Sequence, residues 1–311
     1  MTSRLALLVN PSAGGGVSSD LTTRAANAFE RIGYSVSILR GADAAQSAAK
    51  ATEAVGSGID VLAVLGGDGL VHLALQALIG TSTTLAIVPV GTGNDAARAL
   101  GLPRGADVHN AVRVVAAGAV RELDAARVTV DLCGPATCSE SGLRAESAYF
   151  LTVMASGFDS AVSERAGRLQ WLSGQARYSL AALAELRHFR PLTYLLELDG
   201  NRIEVEAMLV AVGNTESYGG GLKICAGAVP DDGWLDVVVI APMSRRELVR
   251  LYPQLFEGTQ VSHPAYRRHR VRNVTLASLG VVAYADGERL GPLPVTVDVA
   301  PGAVKVLVAA T

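Results

Sequence analysis

Residues 62–73 read LAVLGGDGLVHL. Val61 to Leu65 make a short apolar run of strand length, which stops at Gly66-Gly67-Asp68-Gly69. A helical pattern follows at once, with Leu70, Val71, Leu73, Ala74, Leu75, Ala77 and Leu78 apolar. A strand that ends in glycines and re-enters as a helix leaves backbone N–H groups at a helix N-terminus. Those groups point outward at the positive end of the helix dipole and suit phosphate oxygens. Glycine lets the backbone approach a phosphate closely. Asp68 would repel that phosphate unless it holds a cation, orients a ligand hydroxyl or takes a proton. Loop and acid together point to a phosphate-handling enzyme.

Working outward, the same strand–loop–helix unit repeats. Strands are expected at 5–9, 34–39, 60–65 and 85–90. Helices are expected at about 20–32, capped by Ser18 or Ser19, after Asp43, after Gly69, briefly after Asp95, and at about 107–117. Strict alternation argues for a parallel sheet with helices on both faces. Glycine-rich loops at 10–16, 66–69 and 91–94 each follow the carboxyl end of a strand. In a parallel sheet those ends share one edge, where ligands bind in open α/β folds. After about Val120 strand-like runs succeed one another, at 121–130, 147–154, 192–198, 202–212, 235–240, 271–277, 281–284 and 294–299. Helical interruptions fall near 159–187 and 244–257, and 133–145 reads as a hairpin loop. The expected fold is therefore a three-layer α/β domain over 1–122, with about 300–311 as a candidate return to it. An antiparallel β-sandwich is expected over 123–299.

The 311 residues are half apolar and 18% charged, with a formal net charge of −2, which suits a folded protein and argues against bulk nucleic-acid binding. No run reaches the ~18 apolar residues of a membrane span. The three cysteines, Cys133, Cys138 and Cys225, and the lack of a secretory signal favour reduced thiols in a cytoplasmic protein. A zinc site at Cys133 and Cys138 finds no further ligands nearby. GTGNDA at 91–96 fits the dinucleotide fingerprint G-x-G-x-x-A. It follows the fourth strand rather than the first, and no acid stands about 20 residues on, so a hydride-transferring enzyme is disfavoured. No G-x-x-x-x-G-K-[ST] occurs.

Asn10-Pro11 with the following glycines, Gly66-Gly67-Asp68-Gly69, and Pro89-Val90-Gly91-Thr92-Gly93-Asn94-Asp95 resemble three signatures of the diacylglycerol kinase catalytic-domain superfamily, which includes sphingosine and ceramide kinases. The likeness continues through Gly157-Phe158-Asp159, Gly219-Gly220-Gly221, Asp232-Gly233-Trp234-Leu235-Asp236 and Asp286-Gly287-Glu288, in order over nearly the whole chain. The bacterial soluble diacylglycerol kinases are similar in length. The resemblance implies a nucleotide-binding α/β domain and a lipid- and metal-binding β-sandwich with ATP in the cleft. It implies that Asn10, Pro11, Ser12, Ala13 and Gly14 approach the nucleotide, that Gly66, Gly67, Asp68 and Gly69 wrap its phosphates, and that Thr92 and Asn94 complete the pocket. Asp286 and Glu288 resemble the acidic pair that supplies the general base, a role given to the glycine-loop acid, here Asp68, in the sphingosine kinase branch. Asp232, with carbonyls near Val229 and Trp234, resembles the ligand set of a structural Mg2+. Asp95 and Asp124 resemble members of a carboxylate–water–magnesium network on the lipid side.

These roles agree with what phosphoryl transfer needs: in-line positioning, neutralised phosphate charge and an oriented acceptor. Read without the resemblance, Asp286-Gly287 is a hairpin turn, and both readings can hold. Leu70 stands where the family usually has Thr, and with His72 it matches the sphingosine kinase branch. A lipid kinase that works as a peripheral membrane protein would use basic residues beside apolar ones. Arg245, Arg246 and Arg250 interleave with Leu248, Val249, Leu251, Tyr252 and Phe256, and Arg267, Arg268, Arg270 and Arg272 follow. The competing reading is an ordinary amphipathic helix packed on the sheet. The expected reaction moves phosphate from ATP to a primary lipid hydroxyl, diacylglycerol first, a sphingoid base or ceramide second. A regulator that has lost turnover is the non-enzyme alternative, and a homodimer is a candidate assembly.

Overall fold

The computed structural model describes residues 3–9, 18–102, 108–130, 146–168 and 190–308. Asn10, Pro11, Ser12, Ala13 and Gly14, the Cys133–Cys138 pair, the 133–145 hairpin and residues 169–187 of the helical stretch expected near 159–187 lie outside the described residues. The chain divides into two compact units. One comprises Met1–Ala125, Gly219–Gly221 and Pro301–Thr311, and the other Ala126–Tyr218 and Leu222–Ala300.

The first unit alternates strand and helix: β1 (Arg4–Val9), α1 (Ser19–Arg31), β2 (Ser35–Arg40), α2 (Ala44–Gly56), β3 (Val61–Gly66), α3 (Asp68–Leu78), β4 (Thr84–Pro89), α4 (Asp95–Ala99) and α5 (Val108–Ala117). The strands stand in the order β2-β1-β3-β4, all parallel. The final strand of the chain extends this sheet, with Lys305 and Val306 parallel to Thr84 and Leu85. β3 and β4 are buried along their whole length, as continuous aliphatic runs must be when helices cover both faces. α1 packs with α5 and α2 with α3. Right-handed crossovers from this strand order place α1 opposite α2 and α3. Ser18 caps α1 by accepting from Leu21 N–H at 3.1 Å, and Asp43 caps α2 by accepting from Gln46 N–H at 2.8 Å. Each cap contributes about 1 kcal/mol. α3 starts at Gly67 with no side-chain cap.

In the second unit the chain follows β5 (Ala119–Val130, which begins in the first unit), β6 (Glu146–Phe150), β7 (Val153–Gly157), α6 (Phe158–Arg168), β8 (Leu192–Leu198), β9 (Asn201–Ala207), β10 (Leu209–Gly213), β11 (Leu235–Ile240), α7 (Arg245–Glu257), β12 (Tyr266–Val271), β13 (Asn273–Ala277), β14 (Val282–Ala285), β15 (Glu288–Pro292) and β16 (Val295–Val308). One antiparallel sheet runs β12-β11-β10-β7-β14-β15. Facing it, β9, β8, β13 and the first half of β16 pair antiparallel, and β5 pairs β6. Met154, Val210, Val212 and Val237 of one sheet share a buried core with Tyr194, Leu196, Val274 and Val295 of the other. This is the expected sandwich. The outer face of the six-stranded sheet carries a second core, in which Leu209, Ala211, Val238 and Ile240 meet Ile224, Cys225 and Tyr266, with Leu248 and Leu255 of α7 against them.

Two expected runs prove to be composite. The run 147–154 is two strands, because the chain turns at Leu151 and Thr152. The run 202–212 is β9 and β10, which lie in different sheets. The alternating NRIEVEA has one wet face and the wholly apolar LVAVG has none, so the change of sheet is written in their hydrophobic period. Conversely, 294–299 and 303–308 are one strand, in which Pro301-Gly302 falls between a half that pairs β13 and a half that pairs β4.

Candidate active site

In the first unit two glycine loops follow neighbouring parallel strands. Gly66 lies beside Pro89 in the β3–β4 register, and the loops touch just beyond it. A Cβ on Gly91 would lie 2.7 Å from the Gly67 Cα and 2.9 Å from the Asn94 Oδ1. Only glycine fits there, and the reason is space, not positive φ. Asn94 itself adopts a left-handed conformation, φ 53° and ψ 46°. Its side chain closes the loop, accepting from Gly91 N–H at 3.1 Å and donating to Gly91 O at 2.6 Å. Thr92 is exposed at the tip. Asp68, the first residue of α3, accepts from Ala96 N–H at 3.2 Å and so ties one loop to the helix behind the other. Leu70, in the place of the usual Thr, is buried and folds over Gly66, its Cδ2 2.8 Å from where a Cβ would stand. That position packs the loop rather than facing a ligand.

A second carboxylate joins this cluster. Asp95 Oδ2 accepts from Gly220 N–H at 2.8 Å, and Asp95 is 6% exposed. Arg98, one turn on, lies 3.7 Å from Asp95 Oδ1 and donates to Gly220 O at 2.9 Å. The turn Gly219–Gly221 thus belongs to the first unit although its flanks do not. A Cβ on Gly93 would meet Asp68 Oδ2 at 2.8 Å and Asp95 Oδ2 at 3.6 Å, so both acids converge on Gly93. They are hard oxygen donors of the kind a divalent cation takes beside phosphates. Arg98 escaped the sequence reading, although its i+3 spacing from Asp95 on a helix is a visible signal. Asp124 is buried and accepts from Gly302 N–H at 2.9 Å, which ties it to the returning final strand.

In the second unit Asp286-Gly287 makes the tight turn between β14 and β15. Both residues have positive φ, 51° and 86°, the signature of a two-residue hairpin turn, so the turn reading and the acid coexist. Asp286 is 8% exposed and its carboxylate accepts from Leu151 N–H at 3.0 Å, Thr152 N–H at 2.9 Å and the Thr152 hydroxyl. Thr152 escaped the sequence reading, since it lies 134 residues away with no local signal. Glu288 is exposed at the start of β15. Its neighbour Arg289 donates to Glu164 at 3.1 Å, where the Tyr284 hydroxyl also lies at 3.4 Å.

Asp232 Oδ1 accepts from Trp234 N–H at 3.0 Å, and its Oδ2 pairs with Arg270 at 2.5 Å. Arg270 and Arg272 stack over the Trp234 ring at 5.5 and 4.8 Å. The Arg270 guanidinium thus sets a positive charge against the carboxylate that the resemblance implies as a cation ligand, and Val229 is exposed. This donor set does not fit a resident metal while the ion pair holds. Among the described residues no group of three or more His, Cys, Asp or Glu gathers to hold one.

Burial pushes the carboxyl of Asp159, in the first turn of α6, up to about 7. The unfolded chain loses that proton near 4, so between about 4 and 7 the folded state holds a proton that the unfolded state has released. Stability then falls as pH rises through that window, and the full penalty stands above pH 7. Asp159→Asn is expected to match wild type near pH 4 and to be more stable at pH 8, by on the order of 2–4 kcal/mol, in thermal denaturation across pH.

Comparison with known proteins adds to this geometry. Residues 4–128 match the diacylglycerol kinase catalytic domain, and residues 152–308 match the YegS C-terminal NAD kinase beta sandwich-like domain. A diacylglycerol kinase of Mycobacterium tuberculosis is 38% identical over 305 residues, 98% of this chain and 94% of the relative. The chain belongs to the diacylglycerol kinase family. A Bacillus subtilis relative of the same name is 27% identical over 94% of this kinase and 91% of its own length. Among solved structures, a diacylglycerol kinase from Bacillus anthracis shares the fold at TM-score 0.71 and 21% identity, covering 99% of this chain and 97% of that one. An NAD kinase from Archaeoglobus fulgidus in complex with ATP does so at TM-score 0.53 and 13% identity, covering 98% and 93%. The protein is an enzyme, an ATP-dependent lipid kinase, and its family's use of ATP is consistent with a divalent cation. A regulator without turnover is thereby set aside. Among the described residues no helix is long and apolar enough to cross a membrane.

Proposed function

We propose that this kinase transfers the γ-phosphate of ATP to the primary hydroxyl of diacylglycerol, giving phosphatidic acid and ADP. The observation that supports it best is the close approach of the Gly67 and Gly91 loops at the carboxyl ends of β3 and β4. There the uncapped start of α3 offers N–H groups and the helix dipole to phosphate oxygens. Asn10, Pro11, Ser12, Ala13 and Gly14, with Thr92 and Asn94, are the further nucleotide contacts of this reading. Mg2+ accompanying ATP would be held by Asp68 and Asp95, and it would neutralise phosphate charge.

Glu288 is the general base in this account. The lipid hydroxyl oxygen bonds to the γ-phosphorus, the bond from that phosphorus to the β,γ-bridging oxygen breaks, and ADP leaves with that electron pair. The hydroxyl proton passes to the Glu288 carboxylate. Asp286 holds three donors of the chain itself, so it positions the turn that presents Glu288. Asp68 organises the two loops through Ala96. Asp124 anchors the final strand, and Asp232 braces the start of β11 through Arg270.

Labelled ATP offered with diacylglycerol, sphingosine and ceramide in detergent micelles tests the reading. Phosphate on diacylglycerol is expected, lost on chelation and restored by Mg2+. Phosphate on sphingosine or ceramide alone would reject the substrate.

A further inference from the structure

Glu288, the proposed base, is followed at once by a cation, Arg289. A carboxylate that must take a proton is disabled by a guanidinium bound to it, because the N–H groups occupy its lone pairs. The fold keeps the two apart. Across the β14–β15 hairpin Ala285 pairs Glu288, and Tyr284 pairs Arg289. Cross-strand partners share a face and successive residues alternate. Glu288 therefore leaves β15 on the side of Ala285, which belongs to the core between the sheets, and Arg289 leaves on the outer side.

On that outer side α6 packs against β14. Its Glu164 accepts the Arg289 Nε–H at 3.1 Å and the Tyr284 hydroxyl at 3.4 Å, both on Oε1. Burial first, then the Glu164 carboxylate, pushes the Tyr284 phenol up, so it stays a protonated donor. One helix carboxylate thus holds both members of a single cross-strand pair. The side chains of Glu164 and Arg289 are 35% and 54% exposed, and an ion pair so open to water adds little to stability. Its use lies in where it puts Arg289. β15 ends the six-stranded sheet, so among the described residues no strand pairs its far side. Around that open edge a released Arg289 side chain can swing toward Glu288.

We infer that Glu164 is a positioning residue: it binds Arg289 on the outer face of the hairpin and so leaves the Glu288 carboxylate free to take the proton of the lipid hydroxyl. The inference rests on the general-base reading of Glu288. Initial rates with ATP and micellar diacylglycerol are compared for wild type, Glu164→Gln, Arg289→Gln, the double variant and Glu288→Gln, each beside a thermal melt. Glu164→Gln is expected to lower kcat about three- to fivefold, the hold of an exposed ion pair, with KM for ATP and the melting temperature unchanged. Salt should bring its kcat back toward that of wild type at the same salt, since it screens the misplaced pair. Arg289→Gln should turn over as wild type. Adding it to Glu164→Gln should bring the rate back, because no cation is left to tie the base. A brace that only joins hairpin to helix would give the reverse, with both single variants and the double equally slow. Wild-type kcat in Glu164→Gln, or no recovery in the double variant, overturns the inference while Glu288→Gln stays slow. Wild-type kcat in Glu288→Gln overturns the general-base reading itself, and this inference with it.

Discussion

Glu288→Gln is expected to lower kcat by about 10²–10⁴-fold, the usual contribution of a positioned general base, with KM for ATP little changed. Glu288 is exposed and opens β15, immediately after a turn whose geometry is set by other residues. The amide is nearly isosteric and cannot take the proton. Surface substitutions of this kind cost within about 0.5 kcal/mol, so the melting temperature should stay at the wild-type value. Initial rates with micellar diacylglycerol, beside a thermal melt, check both parts. A variant with wild-type kcat would remove Glu288 from the chemistry and return Asp68 as the base.

Asp286→Ala is expected to act in the opposite way, through stability. The carboxylate receives two backbone N–H groups and a hydroxyl from the Leu151–Thr152 turn, all buried. Without it those donors lose their acceptor inside the protein, each at roughly 1–3 kcal/mol. A loss of about 3–5 kcal/mol follows, a fall in melting temperature of roughly 10 °C. Asp286→Asn should be little better, because its amide nitrogen would face an N–H. Denaturation of the three proteins measures this directly. An Asp286→Ala variant that melts like wild type but has no turnover would make Asp286 a catalytic group instead of a positioning one.

The contrast between these neighbours shows what the residues disclose on their own. The strands β1, β3 and β4 are legible because a run of aliphatic residues too short for a helix has one use in a covered parallel sheet. The Asp286-Gly287 turn is legible because few dipeptides accept positive φ twice. The glycines at 66–69 and 91–93 are legible as loop glycines, and a Cβ on Gly91 would stand only 2.7 Å from the Gly67 Cα, which is the physical reason for glycine there. What remains hidden is pairing over long separations. The clamp of Thr152 on Asp286, the Gly220 N–H on Asp95 and the Arg270 guanidinium on Asp232 each join residues whose local patterns do not refer to one another. Periodicity likewise marks α7 as amphipathic but cannot say that Val249, Tyr252 and Phe256 stay outside. The motif behind the structural-magnesium reading of Asp232 likewise carried no sign of the arginine on a later strand.

The claim on which the rest depends is that the two touching glycine loops seat the phosphates of ATP. Calorimetric titration of ATP with Mg2+ into wild type and Gly91→Ala tests it most directly. The added methyl would sit 2.7 Å from the Gly67 Cα and must force the loops apart. Wild type is predicted to bind, and Gly91→Ala, still folded by thermal melt, to bind at least about tenfold more weakly. A folded Gly91→Ala protein with wild-type affinity for ATP would contradict the account.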